Sequence, residues 1–130
     1  MGGPGDALFS PTVLDHFENP RNAGELPAPS GEGWAGSMEA GRFLRYQVRL
    51  AADRIEDLRY ATYGCVPAIA AGSLLGEWAR GRTVEEALSL SAETLVQMLG
   101  GLPRRRRFCA DLAVEALHRA LRAARGEEKA

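Results

Sequence analysis

The sequence predicts an α+β domain: a small antiparallel sheet of about three strands with helices packed on one face. Two observations lead there. Apolar and polar residues alternate with period two in the first half of the chain, whereas apolar stripes recur with helical spacing in the second. Strands come first along the chain and the longer helices after, which is the order of an α+β domain with helices packed on one face of its sheet. With 130 residues, 45% of them hydrophobic, the chain suffices for one core but would be cramped as two. Residues 1–130 are therefore read as a single domain, structured over about 10–125, with flexible segments at 1–9 and 126–130.

The elements follow in order. Ser10-Pro11 reads as an N-cap followed by proline in the first turn, opening a short helix with Val13, Leu14 and Phe17 on one face; Asn19-Pro20 stops it. From Arg21 to Gly41 glycine and proline dominate, and a marginal first strand is expected in the second half of that stretch. In "RFLRYQVRL" Leu44, Tyr46, Val48 and Leu50 alternate with Arg45, Gln47 and Arg49, which gives a strand with one buried and one solvated face. "AADR" makes a turn, and "IEDLRYATY" repeats the alternation to complete a hairpin. Beyond Cys65, Pro67 suits a first helical turn, Ile69, Leu74, Leu75 and Trp78 form an apolar face, and Gly81 caps the end. "TVEE" is a capping box at Thr83 and Glu86. Ser91 caps the next short helix, which Gly100 stops. A last helix is expected from about Arg105 to Ala124 on the stripe of Phe108, Leu112, Ala116 and Leu117.

A formal net charge of -1 supplies no global field toward nucleic acid or an anionic membrane. No stretch approaches the ~18 apolar residues of a membrane span, and "MGGPGDALF" lacks the basic start and apolar run of an export signal, so a cytoplasmic location is expected. In that setting Cys65 and Cys109 are expected as free thiols.

Each cysteine stands where a helix begins. Cys65 falls at or just before an N-cap, where unpaired backbone N–H groups favour thiolate, the form that binds soft metals and attacks electrophiles. Cys109 follows Arg104 to Arg107, so dipole and cations alike are expected to lower its pKa. The competing reading for each is packing as a small apolar side chain, and Cys109 shares helical spacing with core alanines. Two thiolates are half of a tetrahedral site. Neither imidazole completes it: His118 lies about 13 Å along the last helix from Cys109, and His16 reads as a helix-face residue. The four arginines oppose the helix dipole, which leaves a solvated basic edge or a docking patch for an anionic partner; without interleaved aromatics no nucleic-acid partner is expected.

Three strings carry a resemblance. "VLDHFENPRNAGEL" is similar to the opening helix and Asn-Pro-Arg-Asn-x-Gly turn of the IscU/NifU N-terminal-domain scaffolds for iron–sulfur cluster assembly. "IEDLRYATYGCVPAIAAGSLLGEWARGRTVEEA" resembles their central strand, Tyr-Gly-Cys corner and following helix, and "LPRRRRFCADLAVEAL" their final cysteine helix. The similarity covers about Pro11 to Arg125. It implies three ligand cysteines, an aspartate and often a histidine. Cys65 and Cys109 match the second and third cysteines. Ala40 stands at the first, Arg42 at the aspartate and Phe108 at the histidine; Leu102-Pro103 followed by arginines stands where some members carry a chaperone-recognition box.

Methyl, phenyl and guanidinium groups do not coordinate iron or zinc. The resemblance therefore implies a scaffold without bond-making catalysis of its own, binding iron, an iron–sulfur cluster or zinc through Cys65 and Cys109 with an incomplete set. A homodimer contributing two pairs of cysteines is the favoured completion over Glu39, Asp111 or an external thiol. Implied partners are a cysteine desulfurase and client apo-proteins. Two alternatives stand beside this reading: a metal-free interaction module of the same fold docking a desulfurase or client, and a thiol-based sulfur carrier.

Overall fold

The computed structural model describes residues 9–126. Its elements are α1 (Pro11–Glu18), β1 (Gly31–Ser37), β2 (Arg42–Ala51), β3 (Arg54–Tyr63), α2 (Val66–Ala79), α3 (Val84–Leu88), α4 (Ala92–Met98), a 3₁₀ turn (Arg104–Arg106) and α5 (Phe108–Ala124). The strands form one antiparallel sheet in the order β1-β2-β3. Thus the α+β architecture and the expected first strand are both present. The expectation of flexible segments falls on residues 1–8 and 127–130, which lie outside the described residues; Phe9 packs against the core.

The alternation in β2 and β3 sends Leu44, Tyr46, Val48, Leu58 and Tyr60 to one face, where α5 lies across β1 and β2 and α2 lies on β3. The close approach of α5 depends on what β1 lacks. A Cβ on Gly33 would sit 2.3 Å from the Ala120 nitrogen and 2.4 Å from the Ala116 oxygen, and one on Gly31 would meet the Ala124 nitrogen at 2.4 Å. Glycines on the strand and alanines on the helix therefore let two backbones meet.

The other face of the sheet is not simply solvated as expected. The segment between α1 and β1 crosses it, and the polar side chains of β2 bind that segment: Gln47, buried, accepts from the Leu26 N–H at 2.9 Å, while Arg45 and Arg49 donate to the Gly24 and Pro27 carbonyls at 3.0 and 2.7 Å. The outer edge of β3 is stitched as well. Asn22 and Gly24 pair with Tyr60, and Gly81 and Arg82 pair with Ile55, so few backbone groups are left to recruit another chain.

Two helix readings are corrected. In α1 the inward residues are Val13 and His16, whereas Phe17 is exposed, because Ser73 on α2 offers His16 Nδ1 a hydrogen-bond partner at 2.7 Å. The last helix begins at Phe108, not Arg105: Arg104 to Arg106 form a 3₁₀ turn, which keeps three of the four cations out of the α-helical first turn they would destabilise, and Arg107 is the N-cap.

Candidate functional site

Strand register decides which residues meet at one end of the sheet. Ser37 pairs with Arg42 and Phe43 with Tyr63, so the β1–β2 turn and the β3–α2 corner lie side by side. At that corner Cys65 is the N-cap of α2 with an extended backbone (φ -99, ψ 178), its carbonyl accepts the N–H groups of Ala68 and Ile69, and its side chain makes no capping bond. The thiol is thus free to face outward. The start of α5 closes the third side, and the two sulfurs, 44 residues apart in sequence, stand 3.6 Å from each other.

They stand at a hollow of about 530 Å³, lined by Ala40 and Arg42 from the turn, Tyr63 and Cys65 from the corner, and Arg106 and Phe108 from the approach to α5. Cys65 is partly accessible and Cys109 is fully buried behind it. Burial is the largest influence on Cys109 and pushes its thiol up to about 12; the neighbouring Cys65 acts in the same direction, and Arg106 and Arg42 oppose both without prevailing. The expected lowering of the Cys109 pKa is therefore corrected: desolvation outweighs the cations. Cys65 is the accessible sulfur, and Cys109 lies sealed behind it.

The three replaced positions meet here too. Arg42 lays its guanidinium over the Phe108 ring, 4.3 Å from the centroid, so side chains at the aspartate and histidine positions of the resemblance bind one another. Ala40 contributes only a methyl group, which leaves open space. Neither Glu39 nor Asp111 completes the sulfur pair: among the described residues no three His, Cys, Asp or Glu side chains cluster as a metal site, and Asp111 lines a separate cleft with Glu93 and Arg107. His16 is held between Ser73 and Glu77, and His118 Nε2 lies 3.1 Å from the Ala87 carbonyl. Sequence reasoning missed Tyr63 and the aromatic row that leads to it across the outer face. Trp34 stacks on Phe43 at 5.1 Å and Phe43 on Tyr63 at 6.4 Å. Only the strand register reveals that row.

The chain is similar to known proteins over most of its length. The family described as NifU-like N terminal domain matches residues 8–130. The chain is similar to iron-sulfur cluster assembly scaffold protein IscU 1 of Archaeoglobus fulgidus, 40% identical over 114 residues covering 88% of this chain and 74% of that protein. It is also similar to IscU of Azotobacter vinelandii, 40% identical over 118 residues covering 88% and 91%. The solved structure of a nitrogen-fixing NifU-like protein (N-terminal) from Brucella abortus shares the fold, with a TM-score of 0.75 over 95% of this chain and 98% of that one at 16% identity. Among the described residues no helix is long and apolar enough to cross a membrane. The chain belongs to the NifU-like N-terminal domain family.

Proposed function

We propose that this protein is an iron–sulfur cluster assembly scaffold in which Cys65 and Cys109 bind iron and the nascent cluster, its cargo, before hand-over to client apo-proteins. The names of its relatives support the scaffold role. The observation that carries the site is the convergence of two sulfurs at 3.6 Å beside a solvent-open hollow. A pair this close, one member accessible, suits a centre that is filled and emptied, with sulfur arriving from a cysteine desulfurase at Cys65. Two thiolates leave the coordination of iron unfinished, so the remaining ligands come from outside the chain.

Anaerobic reconstitution with iron and sulfide tests the proposal. Visible absorption with bound iron is expected in the parent and is lost in both Cys65→Ala and Cys109→Ala; a parent that stays colourless at every protein concentration overturns it.

The stack of Arg42 on Phe108 favours a second reading, a metal-free interaction module that has turned its ligand positions to packing. The reconstitution of the parent separates the two, and Ala40→Cys combined with Arg42→Asp tests the site that both presuppose. On the scaffold reading the double variant binds iron or zinc at least tenfold more tightly than the parent, because the turn already faces the cysteines. Equal affinity would remove the common site itself.

A further inference from the structure

Around the hollow the charges do not balance. On the sheet and α2, Arg45, Arg49, Arg59 and Arg80 each reach a carboxylate within 4 Å. By contrast, among the described residues Arg42, Arg104, Arg105 and Arg106 form no ion pair; Arg42 has only the Phe108 ring, and Arg42 and Arg106 both act on Cys109. Two of these unneutralised cations, Arg42 and Arg106, line a cavity of small-molecule size that Cys65 also lines, with Cys109 buried behind it. Where the resemblance calls for a third cysteine, Ala40 leaves room.

We propose that the hollow binds a small thiol carrying carboxylates, whose sulfur supplies the third ligand in the space beside Ala40 while its carboxylates pair with Arg42 and Arg106. This rests on the scaffold reading above and names where its missing ligand comes from. The proton and charge balance is simple. A divalent metal ion, two cysteine thiols and one external thiol give a three-sulfur centre and three protons, with no change of oxidation state; the centre carries a net charge of about -1, and cations at its rim stabilise it. A second copy of the chain is disfavoured as the donor, since docking two hollows face to face would set one arginine rim against the other. A neutral thiol would fill the space but leave the cations unpaired.

Radiolabelled glutathione serves as the probe, with cobalt(II) as the metal and mercaptoethanol as the carboxylate-free competitor, under anaerobic conditions. After gel filtration about one label per protein is expected with cobalt and at least tenfold less without it, and mercaptoethanol at equal concentration should not displace it. Retention should fall at least tenfold in Arg42→Ala combined with Arg106→Ala, two exposed positions whose replacement far-UV circular dichroism will show to leave the fold intact. Cobalt bound with thiolate charge-transfer bands but without retained label, or label retained equally in the double variant, overturns this inference and leaves the scaffold reading standing. Absence of cobalt binding with either thiol or with none overturns both.

Discussion

The two ends of the sheet treat the same residue types in opposite ways. At the end where β2 meets β3 through the Ala52-Asp53 turn, charge is neutralised: Asp57 accepts from Arg59 at 2.5 Å and lies within 3.6 Å of Arg49 and Arg80. Burial alone would raise the Asp57 carboxyl, but hydrogen bonds from Arg59 and the Leu58 N–H, with the charges of Arg59 and Arg80, together hold it below the usual carboxylate range. Thr83 and Glu86 complete a capping box nearby. At the other end arginines stand without carboxylates, Tyr63 and Met38 are exposed, and two thiols face each other unbonded. Stability is concentrated at one end, and groups whose partners must come from outside are concentrated at the other.

That contrast can be sharpened or broken by mutation. The largest effect is expected between the two ends, where β1 meets α5. Gly33→Ala should cost about 3 kcal/mol in urea unfolding, because the added methyl strikes the backbone of Ala120 and Ala116, which cannot rotate away as a side chain would. Next is the neutralised end. Asp57→Ala should cost about 2 kcal/mol, since it strips several partly buried guanidinium groups of their acceptor at once.

A pH titration follows. Burial first, and then the charge of Arg21, lowers the His16 pKa from 6.5; burial likewise leads the lowering at His118. Between those depressed values and 6.5 the unfolded chain binds more protons than the folded one, so stability rises with pH. The urea midpoint should therefore fall on acidification through about pH 6.5; a midpoint that stays flat down to pH 5.5 would contradict it. The smallest effect belongs to the open end: Arg104→Ala with Arg105→Ala should change stability by less than about 0.5 kcal/mol. A cost equal to that of Asp57→Ala would erase the distinction between the ends.

Much of the fold was legible because its signals are local. Alternation through Leu44, Tyr46 and Val48 predicts β2, and the caps at Ser10, Thr83 and Ser91 open their helices as expected. Gly31, Gly33 and Ala35 were harder to read, since small residues give no hydrophobic alternation; their meaning lies in the alanine face of α5. The start of α5 lies later than the sequence suggests because the helical spacing continues back through Arg105 and Arg106, which form part of a 3₁₀ turn instead. At the site, both cysteines and all three replaced ligand positions could be named from sequence, whereas the stack of Arg42 on Phe108 could not.

The sequence by itself determined the class of fold, the cysteines at two helix starts and the absence of donor atoms that bind metal at Ala40, Arg42 and Phe108, the positions to which the resemblance assigns ligands, because propensity, capping and the identity of a donor atom are properties of single residues and their near neighbours. The tertiary structure alone decided that two sulfurs 44 residues apart come within 3.6 Å, that one is sealed and the other accessible, and that Arg42 and Arg106 line one hollow. Distance and desolvation depend on which segments pack together, and a one-residue slip in the pairing of β2 with β3 would already turn one strand's site residue, Arg42 or Tyr63, to the opposite face.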